Sequence, residues 1–168
     1  MCIRDRHRVP IVLHVEPYNS AIDVDDTQKY MDWYQEICRE YPHADFILSH
    51  NSMMEPEKLD EVFKHCDNFY SQVKTMTHDS WRFYWKFHDL HIVNDMDYRF
   101  KERWAKFIEK WPDRMMYGSD IKLRFFLKQP DYYNTLIGNV RTMVGGLDKD
   151  VQQKFMYGNA KKVFNLNM

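Results

Sequence analysis

The chain has 168 residues, 44% hydrophobic and 16% aromatic, and its 24 basic and 25 acidic side chains leave a formal net charge of −1. This length suits one globular domain with a substantial core, and the balanced charge excludes the basic surface that nucleic acids and anionic membranes attract. The sequence contains neither an 18-residue apolar stretch nor the apolar core of a signal peptide. We therefore predict a cytoplasmic protein without nucleic-acid or membrane partners.

The first six residues, MCIRDR, match the translation of a transposon adapter used in sequencing libraries. We predict that residues 1–6 are an adapter artefact. On that hypothesis residues 7–168 are part of a longer protein.

The first half of the chain alternates between predicted strands and helices. Residues 9–17, VPIVLHVEP, form a β-branched run ended by a proline and predict the first strand. A helix follows from about residue 26, where N-cap candidates precede aromatic residues at helical spacing, and Pro42 ends it. Residues 44–50, ADFILSH, predict the second strand, and residues 56–66 a second helix with proline in its first turn.

The second half continues the alternation after one irregular segment. Residues 75–97 are rich in aromatics and histidines and fit neither period, which indicates a long loop or a short helical excursion. The remaining segments are regular: strand 68–74, helix 98–111, strand 114–119, helix 131–144, and a last helix within 148–164 that contains a Gly-Asn break. Such alternation predicts an α/β fold with a parallel sheet covered by helices.

Three predicted strands carry a potential metal ligand after their apolar residues. Because alternate side chains share a face of a strand, we expect each ligand to be the last inward residue of its strand. The expected inward sets are Val12, His14 and Glu16; Phe46, Leu48 and His50; and Met116, Gly118 and Asp120. Two imidazoles and a carboxylate suit zinc or a similar divalent ion.

Each candidate ligand also has an ordinary structural explanation. A single histidine at a strand end is more often a core or rim residue, and Asp120 alone could cap a loop or helix. Three such residues at equivalent strand ends, with 36 residues from His14 to His50 and 70 from His50 to Asp120, favour a site instead. A (β/α)8 barrel uses about 31 residues for each unit. We expect Glu16 to be a solvated rim carboxylate rather than a further ligand.

Four segments together resemble the amidohydrolase-related branch of the metal-dependent hydrolase superfamily: LHVEP, YPHADFILSH, DRMMYGSD and the terminal YGNAKKVFNL. The resemblance implies part of a (β/α)8 TIM barrel, roughly strands 5 to 8 with their helices. It implies that His14 ligates a metal, and that His50 ligates a second metal or contacts the substrate and the nucleophilic water. It also implies that Asp120 binds metal and transfers the proton.

The resemblance implies a hydrolase that uses a metal-activated water on a C–N or C–O bond of a small organic substrate. Two alternatives remain open: a metal-dependent decarboxylase of the same superfamily, and a degenerate barrel that acts as a binding module. The His-x-His pair of the family's first strand is absent, HNS at 50–52 replaces the common His-Leu-Gly, and DIK at 120–122 replaces Asp-aromatic-Pro. We expect the longer parent to be the enzyme, and this piece alone to be hydrolytically inactive and either poorly soluble or self-associating, so that a homo-oligomer is one form it could take.

The irregular segment 75–97 is expected to lie over the mouth of the barrel. Trp81 and Trp85 could stack on a planar substrate, and Arg82 could face a carboxylate, which makes the segment lid-like. The alternative is that its aromatics fill a small core of their own or a subunit interface.

The cysteines carry little functional information. Cys2, Cys38 and Cys66 have neither the number nor the spacing of a disulfide framework or a four-thiolate zinc site. Cys38 and Cys66 fall on predicted helices, where we expect buried thiols rather than nucleophiles.

Overall fold

A computed structural model describes residues 9–19, 24–74, 92–94, 97–119 and 131–166. In chain order its strands are β1 Ile11–Leu13, β2 Tyr18–Asn19, β3 Val24–Asp25, β4 Phe46–Leu48, β5 Phe69–Lys74 and β6 Met115–Gly118. Its helices are α1 Thr27–Glu40, α2 Pro56–His65, α3 Glu102–Lys110, α4 Tyr132–Val144, α5 Lys149–Gln153 and α6 Asn159–Val163. A 3-10 turn covers Ser49–Met53, and a π-helical turn, Lys154–Gly158, joins α5 to α6.

Four strands form one parallel sheet in the order β1, β4, β5, β6. Helices connect them, since parallel neighbours need a crossover. The predicted α/β fold is confirmed, and this sheet with flanking helices is the arrangement expected for part of a (β/α)8 barrel. The short antiparallel pair of β2 with β3 was not predicted.

The helices bury the apolar stripes that their sequences carry. In α1 the buried residues Met31, Tyr34 and Ile37 recur every three positions, which places them on one face. The helix α2 begins at Pro56, where a missing N–H costs nothing, and buries Leu59. Tertiary packing of these stripes therefore fixes the helices that the periodicity predicts.

The sheet has two different faces. One, the helix-covered face, carries the apolar core: Ile11, Leu13, Phe46, Leu48, Phe69, Val73 and Met115 pack with the helices there. The other, the inner face, carries Val12, Ile47, Tyr70, Gln72, Met116 and Gly118, as the strand register shows. Ala160 and Val163 of α6 cover only part of the inner face, and Val12 is 50% exposed.

One partly buried and one buried polar side chain, Arg114 and Asn159, join backbone segments at the amino ends of β5 and β6. The Arg114 guanidinium donates to the carbonyls of Phe69 (2.7 Å), Phe63 (3.0 Å) and Cys66, and lies 4.4 Å above the Phe63 ring. Burial lowers the pKa of this guanidinium from its usual value. Asn159 Nδ2 donates to the carbonyls of Pro112 and Met115, both at 2.7 Å.

Two predicted helix boundaries are wrong. The helix predicted from residue 98 begins at Glu102, because Phe100 pairs with Val93 in an isolated antiparallel bridge. The predicted Gly-Asn break does not interrupt the last helix, since Gly158 and Asn159 keep helical φ angles of −61° and −68°. A π-helical turn and the Asn159 hydrogen bonds keep the chain helical where glycine alone would favour an end.

The expectation of two free thiols is also wrong. Cys38 and Cys66 are buried as predicted, but they form a disulfide with a Cα–Cα distance of 5.6 Å. Cys38 lies near the end of α1 and Cys66 directly follows α2, and the packing of these helices brings the two sulfurs together. Their separation of 28 residues gave no indication of pairing. None of the described helices has the length and apolar character needed to cross a membrane.

Candidate metal centre

Potential ligands meet where two neighbouring strands end. The last paired residues of β1 and β4 are Leu13 and Leu48, so the segments that follow begin side by side. His14 follows β1 directly, and Glu16 comes two residues later. His50 follows β4 after one intervening residue. These are carboxyl ends of parallel strands, where barrel enzymes place their active sites.

His14, Glu16 and His50 form a compact group. Their ligand atoms lie within 4.8 Å of one another. The rings of His14 and His50 are 4.6 Å apart between centroids and meet edge to face at 88°. His50 Nε2 lies 3.6 Å from Glu16 Oε1, and the His50 side chain is only 9% exposed whereas that of Glu16 is 50% exposed.

The donor set fits a divalent cation of the zinc type. Imidazole nitrogens and a carboxylate oxygen are typical zinc ligands, and catalytic sites combine three such protein ligands with an open position. The exposure of His14 and Glu16 leaves that side of the group accessible, while His50 approaches from a covered position. The group could therefore hold an ion at the opening of the inner face.

The predicted orientation of the second strand is wrong, although His50 lies in the predicted site. Phe46 and Leu48 face the helix-covered core rather than the inner face. Had β4 continued as a strand, His50 would point to the same side as these residues. Instead the strand ends at Leu48, and the following turn carries His50 over to His14.

That turn has an unusual backbone. Residues 50–53 all have positive φ, with values of 38°, 58°, 49° and 52° for His50, Asn51, Ser52 and Met53. We call this segment the left-handed turn. Left-handed backbone costs a residue with a Cβ atom about 1 to 2 kcal/mol and normally occurs in single residues. Consecutive left-handed residues persist only where the surroundings hold them.

Two buried hydrogen bonds hold the left-handed turn. The Tyr34 hydroxyl on α1 donates to Ser52 Oγ at 2.9 Å, and the Ser71 hydroxyl on β5 donates to Asn51 Oδ1 at 2.7 Å. Asn51, Ser52 and Ser71 are at most 4% exposed. Burial raises the pKa of Tyr34 to about 12, so its hydroxyl stays protonated and available as a donor over the neutral range.

The inner face is polar next to the end of β6. A Cβ atom added at Gly118 would overlap Nε2 of Gln72, so glycine allows the Gln72 side chain to cross this strand. Gly118 is the last residue of β6, and the expected ligand Asp120 lies outside the described residues. The substrate candidates Trp81, Arg82 and Trp85 lie outside them too. Of the lid-like segment 75–97, the structure describes only residues 92–94 and 97.

The sequence predicts two members of the group as ligands and the third, Glu16, as a solvated rim carboxylate. His14 and His50 were expected ligands, and the structure brings them together. Glu16 is half exposed, as a rim residue should be, yet lies within ligand distance of both histidines. The sequence signal for Glu16 was its position two residues after His14, which places both side chains on the same face of a strand. The buried hydroxyl donors Tyr34 and Ser71 were missed, because nothing in the sequence links them to residues 51 and 52.

A parallel α/β sheet that gathers histidines and a carboxylate at its strand ends is the arrangement that barrel-type metal-dependent enzymes use. The family model for amidohydrolases matches residues 5–166. The chain therefore belongs to the amidohydrolase family, a group of metal-dependent hydrolase-type proteins that act on small molecules. Neither a curated protein nor a solved structure matches it significantly.

Proposed function

We propose that this chain supplies metal-binding and proton-transfer residues to a hydrolase that acts on a C–N or C–O bond of a small organic substrate. The observation that carries the proposal is the convergence of His14, Glu16 and His50, whose ligand atoms lie within 4.8 Å of one another. Membership of the amidohydrolase family supports the same reaction class.

We propose zinc as the ion, held by His14, His50 and Asp120, with Glu16 beside them. A divalent ion held there would supply Lewis acidity that lowers the pKa of a bound water to about 7. The protein's task is then to hold the ligands in place and to move the proton. His50 is suited to the first role, since its ring is covered and faces both His14 and Glu16.

Asp120 is the proposed proton acceptor, which would take a proton from the nucleophilic water and return it to the leaving group. His50 would orient that water or polarise the scissile bond. Trp81, Arg82 and Trp85 are the proposed substrate contacts, within a segment that would cover the site. Asp120, Trp81, Arg82 and Trp85 lie outside the described residues. The role of Asp120 comes from the family resemblance, and those of Trp81, Arg82 and Trp85 from the stacking and charge of their side chains.

The cytoplasmic location remains a proposal that one observation opposes. The Cys38–Cys66 disulfide is of a kind that is rare in reducing compartments. Mass spectrometry of the protein alkylated directly after cell lysis would distinguish the two cases. Labelled thiols at both positions would support the cytoplasm, and an unlabelled linked pair would argue for an oxidising compartment.

Zinc binding by the 168-residue chain tests the proposed metal centre. We expect isothermal titration calorimetry to show one site in the wild type, which His14→Ala and His50→Ala abolish. Glu16→Gln should weaken binding because it removes the carboxylate charge. His43→Ala is the matched control, since His43 is exposed and lies outside the group. Equal affinity in the wild type and in both histidine variants would refute the centre.

Product analysis tests the reaction class. Zinc-loaded protein, expressed with the full upstream gene, would be offered simple amides, esters and lactones. We expect hydrolysis that Asp120→Asn abolishes even at zinc concentrations that saturate the variant, because the amide cannot accept the proton. Release of CO2 from aromatic carboxylic acids without hydrolysis would contradict the hydrolase assignment.

A further inference from the structure

We propose that Tyr34 and Ser71 are positioning residues for the metal centre, because their hydrogen bonds hold the left-handed turn that directs His50 toward His14. The inference rests on the proposed function only in treating His14 and His50 as metal ligands. The positioning itself is a statement about the protein without metal. The hydrogen bonds of Tyr34 in α1 and Ser71 in β5 go to Ser52 and Asn51 rather than to the three candidate ligands.

The strand register makes the turn necessary. Leu13 pairs with Leu48, and both point into the helix-covered core. His14, one residue after Leu13, lies on the inner side, whereas a strand continued for two residues after Leu48 would keep His50 on the core side. An extended chain therefore separates the two imidazoles across the sheet. Only a reversal between residues 48 and 50 brings their rings to 4.6 Å.

The reversal relies on the two hydroxyl donors. Residues 50–53 all carry a Cβ atom, and all four occupy the left-handed region that such residues avoid. Asn51 and Ser52 turn their polar side chains into the buried layer between the sheet and α1. There, Ser71 and Tyr34 are their respective donors. If the turn relaxed toward the right-handed region, both buried bonds would be lost at once.

Two nearest alternatives are weaker. The bonds could serve fold stability alone, or the disulfide that encloses β4 and the turn could set the position of His50 by itself. The disulfide joins residues 38 and 66, and neither is adjacent to the turn in sequence. The hydroxyl bonds act on Asn51 and Ser52, the two residues directly after His50. They are therefore closer to His50 along the chain than the disulfide is.

A glycine rescue separates positioning from general stability. Tyr34→Phe removes the donor and leaves Ser52 Oγ buried without it, so we expect the turn to relax. Adding Ser52→Gly removes the orphaned hydroxyl and supplies a residue that adopts positive φ freely. The double variant should regain the wild-type turn although it lacks the hydrogen bond. Tyr30→Phe, one helical turn earlier in α1, is the matched control for loss of a tyrosine hydroxyl.

A second pair tests the same logic from β5. Ser71→Ala removes the donor to Asn51, and Asn51→Gly in that background removes the acceptor and relieves the backbone. This pair keeps the proposal testable if Tyr34→Phe fails to fold. Should every donor variant unfold even with its glycine partner, the side chains would be required for the fold itself and the positioning role would be overturned.

The readouts are the contact between the two rings in metal-free protein and the affinity for zinc. We expect Tyr34→Phe and Ser71→Ala to lose the nuclear Overhauser contact between His14 and His50, and zinc affinity to fall about 10- to 100-fold. The glycine partners should restore both. Donor variants that keep the ring contact and zinc affinity, with only a lower melting temperature, would refute the inference.

Failure of the proposed metal centre would look different. If the wild type binds no zinc while the ring contact is lost and restored as described, the positioning inference stands and the metal centre fails. If the wild type binds zinc and neither donor variant changes the ring contact, the metal centre stands and the inference fails.

Discussion

The two ends of the parallel sheet both bury polar side chains, but they use them differently. At the amino ends of β5 and β6, Arg114 and Asn159 donate directly to backbone carbonyls. At the carboxyl ends of β1 and β4, Tyr34 and Ser71 donate to side chains of a backbone turn that carries His50. The hydrogen bonds at the amino end join the ends of helices and strands, whereas those at the carboxyl end hold the left-handed turn.

This difference in hydrogen-bond acceptors suggests that the amino end of the sheet contributes to stability and the carboxyl end to function. A donor that satisfies a buried carbonyl lowers the energy of the fold whatever the protein does. A donor that holds a strained turn stabilises a backbone that is itself unfavourable, which points to a functional role for the turn. Here the turn places the His50 imidazole beside His14. Substitutions at the amino end should therefore change the free energy of unfolding most. Substitutions at the carboxyl end should change ligand geometry.

The largest loss of stability is expected at Arg114. Arg114→Met keeps the aliphatic stem but removes the donors to Phe63, Cys66 and Phe69, which should cost about 3 to 5 kcal/mol in the free energy of unfolding. Urea denaturation measures this difference. Arg39→Met is the control, because the guanidinium of Arg39 is exposed, and it should change stability by about 0.5 kcal/mol or less. A change below about 1 kcal/mol in Arg114→Met would contradict the view that the amino end of the sheet contributes mainly to stability.

Asn159 should follow with a smaller loss. Asn159→Ala removes an amide that donates to Pro112 and Met115, and we expect about 2 kcal/mol of destabilisation by the same measurement. Asn159→Asp should be at least as harmful, since a carboxylate would face two carbonyl oxygens. The exposed Asn134 provides the control, and Asn134→Ala should be neutral within about 0.5 kcal/mol.

The sequence predicted the regular part of this fold because periodicity and packing agree there. The helices α1, α2 and α4 and the strand β5 lie within one or two residues of their predicted bounds. The predicted helix boundaries were wrong where a contact with another part of the chain sets them. The Val93–Phe100 bridge delays α3, and the Asn159 bonds carry the last helix through Gly158.

The sequence places His14 and His50 in one candidate site, but for a partly mistaken reason. Strand alternation places His14 correctly, but for His50 it gives the wrong side of the sheet, as the burial of Phe46 and Leu48 shows. Local sequence cannot reveal this, because the left-handed turn is held by Tyr34 and Ser71, which lie 18 and 20 residues from their partners. The disulfide was not predicted for the same reason, since only the packing of α1 on α2 brings its cysteines together.

A glycine at the carboxyl end tests whether that end is also closely packed. Gly118→Ala should lower the free energy of unfolding by about 1 to 2 kcal/mol, because its Cβ atom would overlap the Gln72 side chain. Adding Gln72→Ala should recover most of the loss. Gly138→Ala is the control, since nothing lies within 4 Å of the added Cβ, and it should raise stability by about 1 kcal/mol. An unchanged stability in Gly118→Ala would mean that Gln72 moves away without cost.

The smallest effect concerns stability in acid. It involves Asp60 of α2, which accepts a hydrogen bond from Trp111, a neighbour of Arg114 at the amino end. Burial opposes ionisation of Asp60, but hydrogen bonds from Lys110, Lys64 and Trp111 outweigh it and lower the pKa to about 2. A lowered pKa stabilises the fold above the unfolded value of 3.8, and that contribution is lost as the pH falls toward 2. Because these contacts are partly solvent-screened, we expect Asp60→Asn to cost about 1 kcal/mol at pH 6 and nothing near pH 2.

Tyr34→Phe distinguishes the two ends in the same titration. The raised pKa of Tyr34, about 12, gives a contribution that is complete below pH 10 and is lost only as the pH rises through 12. Its substitution should therefore leave the slope of stability against pH between 2 and 4 unchanged, whereas Asp60→Asn flattens it. Stability measured by urea denaturation at intervals across that range decides the matter. If Tyr34→Phe altered the acid slope as much as Asp60→Asn, the two ends would be coupled, and the division between a stabilising end and a positioning end would fail.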